Sequence, residues 1–249
     1  MSAVHHEATG SDAREPLGVR LAARAARGIA RRRHAPALHP SGVSCDGVLT
    51  VRPGDLPWGE PWLDEPGEYR LRMRWSRAVG LPGNVPDALG LALRVYDAGG
   101  PGRPLDLLLT TSGSGRRTRH VPVPRLNALA GPYSTLLSYR VGTRAALLAA
   151  HPDVTSPLVP GGVASLRTAL RTAPLTFHLC AALSGQAWRV LGTITTGPVH
   201  SAPPADTASY DPYVNRLAQL RPTARFGALR EAAYAASRRG RQAGDPGQP

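Results

Sequence analysis

The sequence contains no lysine, and all thirty of its basic side chains are arginines. The formal charge of +13 would ordinarily indicate a nucleic acid or an anionic membrane surface as partner. The arginines are, however, spread along the whole chain of 249 residues and form no single basic stripe. Arginine in place of lysine is typical of a GC-rich genome. The charge therefore does not predict nucleic-acid binding.

Cysteines and long apolar runs are also scarce. Cys45 and Cys180 are too few for a disulfide framework or a four-cysteine zinc site, so we expect two free thiols. No apolar run reaches the roughly 18 residues that a membrane-spanning helix needs. Residues 1–18 lack the apolar core of a signal peptide. These absences predict a cytoplasmic protein with no membrane span.

The length and the turn residues favour one domain rather than two. A single β-barrel often contains about 200–250 residues, and 27 glycines with 25 prolines indicate many turns and few long helices. We expect a disordered lead and a basic amphipathic helix over residues 1–37. One α+β domain, an antiparallel β-barrel with helical additions, is expected over residues 38–241, and a disordered tail over 242–249.

Alternating apolar and polar residues predict the strands. In YRLRMRWS, the apolar Leu71, Met73 and Trp75 alternate with Arg72, Arg74 and Ser76, which is the period of a strand with two different faces. Arg74 and Ser76 are therefore expected to share one face. The predicted strands are Gly47–Val51, Tyr69–Val79, Leu89–Tyr96, Leu105–Thr111 and a hairpin around Ser184–Gln186, with candidate helices over 136–150 and 165–172.

The C-terminal region carries a tyrosine among arginines at helical spacing. Offsets of four, four and three residues relate Arg230, Tyr234, Arg238 and Arg241. A helix with these offsets would place the phenol and the guanidinium groups on one face. Nearby cations and a ferric iron both favour the ionised phenol that binds iron. A solvated surface helix gives the same spacing, so the helix alone leaves both interpretations open.

The spacing of Arg230, Tyr234 and Arg241 resembles the haem-ligand motif of catalases, in which an arginine precedes the ligand tyrosine by four residues and another follows it by seven. Tyrosine is the axial ligand of catalase haem. The resemblance implies a catalase-type barrel with a C-terminal haem-ligand helix and a haem, of b-type, held by Tyr234. Arg230, Arg238 and Arg241 would then contact the cofactor.

Three further segments resemble catalase motifs in the same order along the chain. The segment with His39, Gly42 and Gly47 resembles the stretch that carries the distal histidine. The longest match begins at Arg74 and ends at Leu108, and its matching positions are Arg74, Ser76, Gly80, Asp87, Gly90, Ala92, Tyr96 and Asp106, with Arg94 in place of a lysine. Tyr210, Asp211 and Pro212 resemble the segment ahead of the ligand helix. The resemblance implies that Arg74 binds a haem propionate and that Ser76 hydrogen-bonds His39.

Two departures from the catalase pattern concern the distal side. Catalases carry an asparagine beside the distal histidine, where we place Thr111, and a hydroxyl offers fewer hydrogen-bonding atoms than an amide. Pro36 stands where catalases have an arginine, and only Arg31–Arg33 lie nearby to replace it. Peroxide dismutation is therefore expected to be weak.

The resemblance implies a haem protein that reacts with hydrogen peroxide or organic hydroperoxides, with His39, Ser76 and Thr111 at the reacting side. A homo-oligomer is compatible with this interpretation. One alternative is a barrel that binds haem without turnover, for storage or sensing. Another is a basic lipid-binding or nucleic-acid-binding module that has kept the barrel and lost the cofactor.

Overall fold

The computed structural model describes residues 42–54, 57–78, 84–199 and 210–223, and every structural statement below concerns these residues. They form ten β-strands and two α-helices, with one 3₁₀ turn at Thr118–His120. The strands are β1 (Gly42–Val51), β2 (Gly67–Arg77), β3 (Leu89–Val95), β4 (Leu105–Thr111), β5 (Tyr133–Ser134), β6 (Tyr139–Val141), β7 (Arg144–Pro152), β8 (Thr176–Leu183), β9 (Arg189–Val199) and β10 (Leu220–Pro222). The helices are α1 (Pro61–Asp64) and α2 (Val163–Thr172).

Eight of these strands close into an antiparallel barrel. The hydrogen-bonded order runs β7-β5-β4-β3-β2-β1-β9-β8, and β8 pairs again with β7. Closure leaves no unpaired edge in the ring. Strands β6 and β10 extend the sheet beside β7 outside the ring. The predicted β-barrel with few helices is thus confirmed for the described residues.

The barrel interior is filled by every second side chain of its strands. On β2 the inward residues Leu71, Met73 and Trp75 are at most 1% exposed, as the alternation of the sequence predicts. Trp75 packs edge to face against Tyr133 and Phe177 across the interior. The interior is therefore a packed core, and any ligand site must use another surface.

The predicted helix over residues 136–150 is wrong. These residues form β6 and most of β7, joined by a turn in which Gly142 has a φ of 58°, in the left-handed region that favours glycine. The apolar run around Leu147 is short, and short apolar runs do not distinguish a helix from a fully buried strand. The backbone hydrogen bonds of β7 to β5, β6 and β8 show that this run is a strand. The helix predicted over 165–172 is confirmed as α2.

Several other predictions can be compared with the described residues. Cys45 and Cys180 are both buried free thiols, and burial raises the pKa of each to about 12. Within residues 42–54, 57–78, 84–199 and 210–223, no helix is long and apolar enough to cross a membrane. The lead and helix predicted over residues 1–37, and the tail over 242–249, lie outside the described residues.

Candidate functional site

Most polar side chains of β1 to β4 lie on the outside of the barrel, and the outward positions form rows that run across the strands, three of which concern the candidate site. We call this surface the outer face. The register of the strands sets the rows. The small-residue row is Gly42, Ser76, Gly90 and Thr110; the middle row is Ser44, Arg74, Ala92 and Leu108; the charged row is Asp46, Arg72, Arg94 and Asp106. The small-residue row thus carries no bulky side chain, and the two rows beside it carry guanidinium groups.

Arg74 and Ser76 share this face, as the alternation predicts. A methyl group on Gly42 would lie 3.0 Å from Ser76 Cβ and 3.1 Å from Arg74 Cζ, so the guanidinium extends toward the small-residue row. Ser76 is 4% exposed, and its hydroxyl donates to the Gly90 carbonyl oxygen at 3.4 Å. The structure therefore brings together two of the residues that the sequence motifs select.

Thr111 is not on the outer face. Its side chain is 0% exposed on the core side, where Oγ1 accepts the Leu89 backbone N–H at 3.0 Å. Thr110 occupies the outer face instead, in register with Gly90. The β4 alternation, in which Leu107 and Leu109 are buried, is the sequence signal that identifies Thr110. Thr111 therefore has its side chain in the core, while its position relative to His39 stays a prediction because His39 lies outside the described residues.

The charged row contains one buried and one exposed ion pair. Arg94 donates two hydrogen bonds to Asp106, from Nε at 2.8 Å and from Nη2 at 2.7 Å. The hydrogen bond to Asp106 raises the pKa of Arg94. Asp46 and Arg72 are 3.4 Å apart, with side chains 51% and 30% exposed. Removal of one partner of the buried pair is therefore expected to destabilise the protein more than removal of one partner of the exposed pair.

Asp106 also fastens the 210–216 segment to the barrel. Its Oδ2 accepts the Asp211 backbone N–H at 2.7 Å and Asn215 Nδ2 at 2.9 Å, and its own N–H donates to the Asn215 carbonyl oxygen at 2.9 Å. The ring of Tyr210 lies under the Arg94 guanidinium, 5.3 Å from Cζ to the ring centroid. One network of hydrogen bonds thus joins two of the motifs found in the sequence, those at Asp106 and at Tyr210–Pro212.

The remaining predicted site residues lie outside the described residues: His39, Arg230, Tyr234, Arg238 and Arg241. Within the described ranges, no group of three or more His, Cys, Asp or Glu side chains has a metal-binding arrangement.

Comparisons with known proteins show the type of fold. Catalase A from Saccharomyces cerevisiae is similar with a TM-score of 0.60 and 12% identity, over 82% of this chain and 60% of that chain. A fungal catalase gives a TM-score of 0.60 at 12% identity over 58% of its length, and a bacterial catalase gives 0.57 at 11% over 56%. The chain therefore spans less than two thirds of these catalases.

Sequence comparisons add no closer relative. No protein-family model matches the chain, and no curated protein is significantly similar to it. Structural similarity at 11–12% identity shows the fold alone. The described residues thus have a catalase-like β-barrel fold.

Proposed function

We propose that this chain binds haem against the outer face and reacts with hydrogen peroxide or organic hydroperoxides. Tyr234 is the residue that would bind the iron, assisted by Arg230, Arg238 and Arg241, and His39 is the proposed base toward the peroxide. The proposal rests on the order of the catalase-like motifs in the sequence. The shared outer-face position of Arg74 and Ser76 is the structural observation that supports it most directly.

The residues of the outer face fit a flat, dianionic cofactor. The small-residue row presents only two glycines and two hydroxyl side chains, so a planar group can approach the sheet closely. Arg74 supplies a guanidinium next to the small-residue row, and guanidinium groups bind carboxylates with paired hydrogen bonds.

A haem held by Tyr234 would supply two-electron redox chemistry, reducing the peroxide and being reduced again by a second substrate molecule. The chain's own task is to position the peroxide and move its proton. A neutral His39 imidazole can accept the proton from one peroxide oxygen and return it to the other, which is general acid and base catalysis. The proposed role of Ser76 is to hydrogen-bond and orient that imidazole.

Thr110 stands on the outer face with a hydroxyl that can donate one hydrogen bond to a peroxide oxygen. An asparagine at this place would offer two donors and one acceptor. We therefore propose that hydrogen peroxide dismutation is slow and that bulkier hydroperoxides are handled relatively better.

A matched pair of arginine variants tests the cofactor proposal. Arg74→Ala should lower haem affinity at least about tenfold, because a charge-assisted pair with a propionate is lost. Arg70→Ala is the control, since Arg70 lies on the same face of β2 but farther along the strand, over the Tyr96 ring. Equal haem affinities in the two variants would contradict the proposed orientation.

Peroxide chemistry is tested separately on the haem-loaded protein. His39→Ala should retain haem and slow the reaction with peroxide by roughly 10²–10⁴-fold, the usual effect of losing a general acid-base group. Haem binding with no peroxide reaction in the wild-type protein would instead favour haem storage or sensing.

A further inference from the structure

Two histidines face each other on the outside of the barrel, across β7 and β8. His151 is in register with His178, and Phe177, the neighbour of His178, points the other way into the interior. His178 has a partner, because its Nε2 lies 2.9 Å from Asp153 Oδ2. His151 Nε2 is shielded from solvent and has no hydrogen-bond partner. The two imidazoles therefore differ in how well they can carry a proton.

The indole ring of Trp188 shields His151. The two ring centroids are 5.1 Å apart, and the ring planes meet at 70°. The indole Nε1 of Trp188 donates to the Ser114 carbonyl oxygen at 3.3 Å. Arg119 stacks on the same indole, with Cζ 5.3 Å from the ring centroid. One indole thus contacts both an imidazole and a guanidinium group.

Arg119 ties its own loop to the turn between β8 and β9. Its Nη1 donates to the Gln186 carbonyl oxygen at 2.9 Å, and its Nη2 donates to the Leu183 carbonyl oxygen at 3.2 Å. We call residues 113–120 and 184–188, which these bonds and Trp188 join, the clasp. Displacement of the indole from His151 would therefore open the clasp as a whole.

The clasp lies against the outward side of β8. Trp188 precedes Arg189, which pairs with Ala181, and its ring reaches as far as His151. The indole side chain therefore extends over this part of β8. Cys180 stands on the outward side of β8 between these two levels, and it is only 3% exposed. Its thiol therefore reports whether the clasp is closed.

A proton on His151 would find cations around it and no acceptor. The charged and titratable groups around this imidazole are His178 and Cys180 on β8, Arg119 and Arg125 before β5, and Asp153 after β7. Burial, together with the charges of His178 and Arg125, lowers the pKa of His151. The carboxylate of Asp153 is bound to His178. The closed clasp therefore holds His151 in its neutral form.

We propose that the clasp is a pH-sensitive device, closed while His151 is neutral and opened when His151 binds a proton. An imidazolium ion donates from both ring nitrogens, and Nε2 has no acceptor in the closed clasp. Arg119 already occupies the indole that a second cation would face. Opening brings water to His151 and uncovers Cys180. None of these residues lies on the outer face, so the device does not depend on the proposed haem binding.

Labelling of the Cys180 thiol with dithiodipyridine measures the opening. Cys45→Ala removes the other thiol, so Cys180 is then the single reacting group. The full chain is labelled at about pH 7.5 and about pH 5.5, one unit on each side of the ordinary histidine pKa of about 6.5. Each rate is divided by the rate of the urea-unfolded chain at the same pH. The resulting ratio reports the population of the open clasp.

The labelling ratio should rise by up to about tenfold between these two pH values, because the open clasp binds a proton that the closed clasp excludes. His151→Gln in the same background should abolish the rise, since glutamine does not titrate. His120→Gln is the matched control, because His120 is an exposed histidine of the same clasp. This control should keep the full rise.

Tryptophan emission gives a second readout with His151 intact. The difference between the spectra of wild type and Trp188→Phe isolates the emission of Trp188. This difference should shift to longer wavelength at the lower pH, because the indole enters water when the clasp opens. An emission difference that is the same at both pH values would count against the opening of the clasp.

The labelling results can overturn the device in two ways. A ratio that changes by less than about twofold between the two pH values would show that the clasp does not respond to protonation. The same rise in His151→Gln as in the parent background, or its loss in His120→Gln, would show that His151 is not the controlling group. Both experiments use the chain without haem, so their outcome is distinguishable from that of the haem titrations.

Discussion

Replacing Asp106 by asparagine should destabilise the protein far more than the same replacement of Asp46. Both aspartates belong to the charged row, and each is paired with an arginine of a neighbouring strand. Asp106, however, is 0% exposed and accepts four hydrogen bonds, whereas Asp46 is 51% exposed at 3.4 Å from Arg72. The charge and the arginine partner are matched, so burial and the hydrogen bonds that burial accompanies are what differ.

The structure gives the expected size of the difference. An asparagine at position 106 leaves the Arg94 side chain, only 20% exposed, without its counter-ion. Breaking a buried ion pair on one side costs about 3–5 kcal/mol. We expect about 3 kcal/mol, near the lower limit, because Arg94 retains some solvent. Asp46→Asn should cost about 0–1 kcal/mol, as exposed pairs do.

Urea unfolding measures the change in overall stability, and trypsin cleavage after the exposed Arg216 measures how readily the 210–216 segment opens. Asp106→Asn should speed cleavage there, since Asp106 binds both Asp211 and Asn215 on the preceding turn. Asp46→Asn should not change the cleavage rate. A difference in unfolding free energy below about 1 kcal/mol between the two variants would refute the reasoning from burial.

Three further predictions concern other parts of the barrel. Tyr133→Phe should cost about 3 kcal/mol in urea unfolding, because its fully buried hydroxyl accepts the Trp75 indole N–H at 2.8 Å and donates a second bond; a cost below about 1 kcal/mol would contradict this. Burial lowers the pKa of His151 below 6.5, so the folded state binds a proton less readily than the unfolded state does. The free energy of unfolding should therefore fall as the pH drops below 6.5. His151→Gln should flatten that part of the profile of stability against pH, and an unchanged slope would exclude His151 as its source. In the haem-loaded protein, Thr110→Val should slow the peroxide reaction about tenfold with little change in stability. Thr111→Val should cost about 1–2 kcal/mol of stability and leave the reaction rate unchanged. Stopped-flow rates that respond to Thr111 alone would show that Thr111, and not Thr110, contacts the peroxide.

Local patterns in the sequence predict most of the barrel wall. The period of two on β2 identifies both its ends to within two residues and the faces of Arg74 and Trp75. The hairpin of β8 and β9 follows from its turn residues in the same way. Such features depend on neighbours a few residues apart, which the sequence contains directly.

The features that the sequence did not predict depend on distant contacts or on a single residue of register. The 136–150 segment is a pair of strands because β5 and β8 lie beside β7. Asp106 and Asp211 are 105 residues apart, and no local pattern indicates that they meet. The motif spacing selects Thr111 without regard to the strand alternation, and its side chain lies on the core side, because a shift of one residue exchanges the two faces of a strand.

The central claim, that this chain is a haem protein, is tested most directly by titrating the purified protein with haem and recording the absorption spectrum of wild type beside Tyr234→Phe. We predict saturation at one haem per chain in wild type, with a Soret band typical of tyrosinate-ligated ferric haem that is lost or shifted in Tyr234→Phe. Absorbance that rises without saturation, or a spectrum that is the same in both proteins, would contradict the claim.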